Sequence, residues 1–112
     1  MVFRRPTADE LRLLKHLATI AKLESVDAWL AALRVRDMDD GGMGSLEIEA
    51  TSDSEHPSTT VICLASVQFT DADGVEVIAS LNAREDGVPF ELDMWKTDSS
   101  RLIRIPDELV PS

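Results

Sequence analysis

Tyrosine is absent from this chain of 112 residues, and aromatic side chains make up only 4% of it. A hydrophobic core must therefore rest on Leu, Val, Ile, Ala and Met. There is one cysteine, Cys63, so no internal disulfide can form. Its setting in the apolar run Val61-Ile62-Cys63-Leu64-Ala65 predicts a buried, inert thiol. Two histidines, His16 and His56, stand far apart and in no ligand-spaced pair, which speaks against a zinc site. No apolar run approaches the ~20 residues of a membrane span. The opening MVFRRPTADE has no apolar core of the kind a secretory signal needs. Together these absences favour a cytoplasmic protein with no membrane association and no metal or other cofactor.

Positive charge is also scarce. Eleven Lys and Arg face twenty-one Asp and Glu, for a net charge of -10. The imbalance is uneven, with +3 on residues 1–36 and -13 on residues 37–112. A field of that sign repels nucleic acid and anionic lipid and draws basic partners.

What is present orders the chain into one domain, residues 1–112, with helices over about 7–33 and strands over about 34–106. Thr7-Ala8-Asp9-Glu10 has the spacing of a capping box and opens a helix expected to run to about Leu23. Leu13, Leu14, Leu17, Ile20 and Ala21 supply its apolar stripe. Ser25 is placed as a second N-cap, before Val26, Trp29, Leu30 and Leu33 at helical spacing. That spacing gives Trp29 a place in the core.

From Arg34 the period changes to two. RVRDMDDGGMGS reads as a short strand and a glycine-dense turn, in which at least one of Gly41, Gly42 and Gly44 takes positive φ. SLEIEA alternates, with Glu47 and Glu49 on one face. The polar stretch 52–59 is the longest expected loop, and the apolar stretch 60–70 is expected as a central strand. An Asp-Gly turn, a strand over 75–82, an REDG turn and a strand over 89–96 follow, and RLIRIP is a last extended piece. Helices first and closely spaced strands after them imply an α+β fold. Two N-terminal helices pack on an antiparallel β-meander of four to five strands, because loops this short cannot hold parallel crossovers.

The last strand, FELDMWK, poses the functional question. Its alternation places Phe90, Leu92 and Met94 on one face and Glu91, Asp93 and Trp95 on the other. A tryptophan beside two carboxylates fits a partner-binding hot spot. It fits equally a second small core in which residues 101–106 fold over Trp95. No catalytic motif stands out: there is no Gly-x-Ser-x-Gly elbow, and Asp71-Ala72-Asp73-Gly74 lacks the later ligands of a calcium loop. Asp39, Asp40, Glu47, Glu49, Glu91, Asp93 and Trp95 are the candidate partner-binding residues.

DMDDGGMGSL, SLN and GVPFELDMWKTDSSRL together resemble a set of small, mostly bacterial, uncharacterised domains. Their pattern is an RPLT-x-x-E helix, a DGGMGS turn and a closing ELD-x-WK-x-D segment. The likeness runs from Arg5-Pro6-Thr7 to near Leu102, although TTVICLASVQF departs from a more polar strand in that pattern. Such domains resemble immunity proteins of contact-dependent and polymorphic toxin systems. The resemblance implies an acidic inhibitor that binds a basic toxin domain directly and needs no catalytic residue. The alternative is a small-molecule-binding or enzymatic domain whose carboxylate-lined site gathers Asp39, Asp40, Glu91 and Asp93 near Trp95.

Overall fold

The computed structural model describes residues 2–49 and 61–109. Helix α1 spans Ala8–Ile20 and α2 spans Val26–Ala32. Strands follow at Val35–Asp37 (β1), Leu46–Ile48 (β2), Ile62–Thr70 (β3), Glu76–Ala83 (β4) and Pro89–Lys96 (β5). They form one five-stranded sheet in the order β1-β2-β5-β4-β3, antiparallel throughout. The fold is α+β. Strands β3, β4 and β5 form a meander, and the β1–β2 hairpin joins it where β2 pairs with β5.

The capping box forms as its spacing requires. The Thr7 hydroxyl accepts the Glu10 N–H, and the Glu10 carboxylate accepts the Thr7 N–H at 2.8 Å. Helix α1 ends at Ile20, earlier than the sequence suggested, because the chain turns back on itself. The Leu23 N–H reaches the Ala18 carbonyl at 3.1 Å and the Lys22 N–H reaches that of Thr19, with Lys22 in the left-handed region at φ 59°. That pattern is a Schellman stop, here built on a lysine where glycine is usual. Ser25 precedes α2 but does not cap it with its side chain. It sits at φ 54°, and only its backbone carbonyl serves the helix, accepting from Trp29 at 3.0 Å.

Helix α1 lies across β3 and β4 and packs on α2. Leu13, Leu14, Leu17 and Ala18 meet Val67, Phe69, Val77, Ala79, Leu81, Leu92 and Met94 from the sheet, all buried. Ile20, Ala21, Trp29 and Leu30 close the edges of this core. The helices thus cover one face of the sheet, the inner one.

Two expectations about residues 60–70 are overturned. Among the described strands β3 is an edge strand and not a central one, since β2 pairs with β5 and leaves β3 outermost. Cys63 is exposed and not buried. Its register partner is Asn82 on the outer face, and the ladder shifts between Cys63 and Ala65, so the apolar run begins outside the core. Val61 and Ile62 are exposed with it, while Ala65, Val67 and Phe69 alternate inward. The expected loop 52–59 and Ala50 lie outside the described residues.

The glycine turn is built on backbone that other residues resist. Gly41, Gly42 and Gly44 all take positive φ, and Gly44, at φ 100°, has the Leu102 side chain 2.8 Å from where a Cβ would stand. Residues 101–106 form no strand. They cross the inner side of the molecule: the Leu102 N–H donates to the Gly42 carbonyl at 3.0 Å, and Ile105 is buried in the main core. Ile103 remains exposed. The segment therefore does not cover Trp95, and the second small core does not form.

Candidate binding face

Strand parity on β5 decides what reaches the outer face. Leu92 and Met94 point inward and are buried, which turns Glu91, Asp93 and Trp95 outward. Register then supplies their neighbours. Glu91 stands between Glu47 on β2 and Asn82 on β4, Asp93 is opposite Ser80, and Trp95 is opposite Ile78. Four of the expected residues are thus brought together: Glu47, Glu91, Asp93 and Trp95.

Like charges directly across a strand pair repel, so the Glu47–Glu91 row needs compensation. Arg36, opposite Glu47 on β1, forms an ion pair with it. The Asn82 amide donates to a Glu91 carboxylate oxygen at 2.9 Å. On β4, Glu76 accepts from Gln68 at 3.0 Å and Thr70 at 2.7 Å. Asp93 is exposed, and Trp95 is 48% exposed with Ile78 beside it. The pair forms an apolar island on an acidic sheet face that no described element covers.

The other three residues lie elsewhere. Asp39 is exposed in the β1–β2 loop. Asp40 spends both oxygens inside that loop, accepting the Met43 N–H at 3.1 Å and the Ser45 N–H at 2.9 Å. Its partial burial alone would raise its carboxyl pKa, but hydrogen bonds from Ser45, Met43 and Gly42 outweigh burial and hold it below the usual range. Glu49 faces Arg34 at 4.0 Å and lines a cleft of about 470 Å³ with Trp29, Leu33, Ile48 and Pro89, away from Trp95.

Sequence reasoning missed one constellation, on the inner side of the same strand. Lys96 follows Trp95, has inward parity and is wholly buried. Its ammonium donates to Asp73 at 2.7 Å, to Asp71 at 2.9 Å and to the Arg101 carbonyl at 2.9 Å, which uses all three donors. Asp71, also buried, accepts the backbone N–H groups of Ile103 at 2.8 Å and of Ala72 and Arg104. Burial would push the Asp71 carboxyl up; the Ile103 amide, the Lys96 ammonium and the other amides overcome it and hold the pKa at about 2. Lys96 is treated likewise: burial opposes its charge, and the two carboxylates raise its pKa above the usual value. The network fastens residues 101–104 to the β3–β4 turn. The available signal was parity, since Lys96 alternates with Phe90, Leu92 and Met94. With every donor occupied, the lysine is a clasp and offers no free amine.

Among the described residues no three His, Cys, Asp or Glu side chains converge as a metal site would require, and no helix is long and apolar enough to cross a membrane. Fold and face together define a small α+β domain with one sheet face covered by helices and the other, acidic one covered by no described element. Residues 3–106 match the model of a family described as a domain of unknown function (DUF6984), and the chain belongs to that family. No curated protein and no solved structure matches it.

Proposed function

We propose that this protein is a cytoplasmic inhibitor of the immunity type, which neutralises a basic toxin domain by binding it with the outer sheet face. One observation carries the reading: a half-exposed tryptophan stands beside Asp93 and the Glu47–Glu91 row on a face that no described element covers. An aromatic anchor ringed by charge is the usual anatomy of a binding hot spot. The surplus of acid beyond Arg36 would steer a basic partner and turn away nucleic acid and anionic membranes. Such a protein acts by occlusion and needs no cofactor.

The test is genetic and then kinetic. The toxin domain encoded beside this gene is expressed with and without the protein, and the reading expects growth only when both are present. Trp95→Ala then raises Kd about 30-fold, chiefly through faster dissociation, equivalent to about 2 kcal/mol. Glu91→Lys/Asp93→Lys slows association at low salt, and the difference shrinks as salt screens the charges. Absence of a neighbouring toxin gene, or no protection by the protein, overturns the reading.

A further inference from the structure

One concave site lies apart from the outer face. Helix α2 is only seven residues long, packs on α1, and has no buried residue of its own. Between it, the end of β2 and the turn before β5 lies the cleft of about 470 Å³, within the size range of small-ligand sites. Buried Leu33 and Ile48 and partly buried Trp29, Val88 and Pro89 line it. A wall of aliphatic and aromatic groups with few polar ones is the usual make-up of a ligand pocket. Three charged residues complete the lining, Arg34, Glu49 and Asp86, and all three are exposed. Their partners set the sign of the site. Arg34 is engaged: it donates to the Phe3 carbonyl at 2.9 Å, and its Nε lies 4.0 Å from Glu49. Asp86 accepts the Val88 N–H at 3.0 Å with one oxygen, and among the described residues no cation pairs with it. One engaged cation thus faces two carboxylates, in a chain of net charge -10.

We propose that this cleft binds a small organic cation, an ammonium group carried on an apolar body. The body lies against Trp29 and Ile48, and the ammonium meets Glu49 and Asp86 at the mouth. Charge selects that ligand: an anion would face two carboxylates, and an uncharged molecule would leave them unused. The site goes beyond the proposed inhibition, which uses Trp95 and the outer face, and either reading can fail alone.

The chain has two tryptophans, so isotope labelling of tryptophan gives two indole N–H signals in a nuclear magnetic resonance spectrum, assigned with Trp95→Phe. Titration of the full chain with phenethylammonium should shift the Trp29 signal and leave that of Trp95 in place, with a Kd of about 0.1–1 mM. The matching anion, hydrocinnamate, should bind at least about tenfold more weakly. Glu49→Gln/Asp86→Ser removes both charges at exposed positions, and the serine hydroxyl still accepts from Val88. It should weaken phenethylammonium about fivefold or more and leave the binding of neutral phenethyl alcohol as it was, which shows that the cleft itself is intact. No shift of the Trp29 signal at about 10 mM phenethylammonium, well above that Kd, overturns the proposal. So does a shift of the Trp95 signal alone, equal binding of the anion, or a double variant that binds the ammonium like the parent.

Discussion

Trp95 and Lys96 are chain neighbours on β5, yet the tryptophan is half in solvent and the lysine is wholly buried. The period of two explains the inversion. Once Leu92 and Met94 commit to the core, Trp95 must face out and Lys96 must face in, whatever their hydropathy. Each side then solves a different problem. The inner charge is compensated by two carboxylates and a carbonyl and ties down residues 101–104. The outer aromatic has Ile78 opposite it in the register and leaves about half its surface exposed. Carboxylates divide the same way: Asp71 has its oxygens filled by four donors, whereas Asp93 stands open to solvent.

Substitutions on the two sides should therefore differ most in stability. Asp71→Ala, on the inner side, leaves the Lys96 ammonium buried with one partner fewer and strands three amides; urea unfolding should show a loss of about 3–5 kcal/mol. Trp95→Ala, on the outer side, should cost no more than about 1 kcal/mol, the scale of one cross-strand pair. Equal costs would erase the distinction. Acid sharpens it further. The folded-state pKa of Asp71 is about 2, depressed below its unfolded value near ~3.9. The stability it contributes is present above the unfolded value and is lost as pH falls from about 4 towards 2. A midpoint of acid unfolding that moves to higher pH in Lys96→Met, and stays put in Asp93→Asn, would show which carboxylate matters.

Smaller effects come from the backbone. Gly44→Ala is expected to cost about 1–2 kcal/mol, through its positive φ and the crowding of Leu102, and Gly41→Ala, with open space around it, about 1 kcal/mol. Smallest is a gain: Lys22→Gly should stabilise by about 0.5–1 kcal/mol, because the left-handed stop of α1 suits glycine. Differential scanning calorimetry of these three variants would rank them.

Local features were legible in the sequence because local chemistry decides them. The capping box fixed the start of α1, the alternation of FELDMWK placed β5 at its observed limits, and the glycine turn needed positive φ. Strand order was not legible. It depends on which distant strand β2 pairs with, and nothing within 60–70 distinguishes a central apolar strand from an edge strand whose first residues are exposed; Cys63 was misplaced for that reason. The clasp joins Asp71, Lys96 and Ile103, which converge only after the meander folds. Of the candidate site, parity gave Glu91, Asp93 and Trp95 as one face, and β2–β5 pairing added Glu47. Asp40 was drawn away by its own loop, whose amides it accepts.

The central claim is that the outer face binds and the inner side holds the fold. Its most direct measurement is the binding kinetics of the parent and Trp95→Ala with the basic toxin domain that the proposed function requires, alongside the melting temperature of each. The account predicts a dissociation rate about 30-fold faster in the variant with a melting temperature lowered by only a few degrees. A variant that binds like the parent, or that melts far below it, would contradict the account.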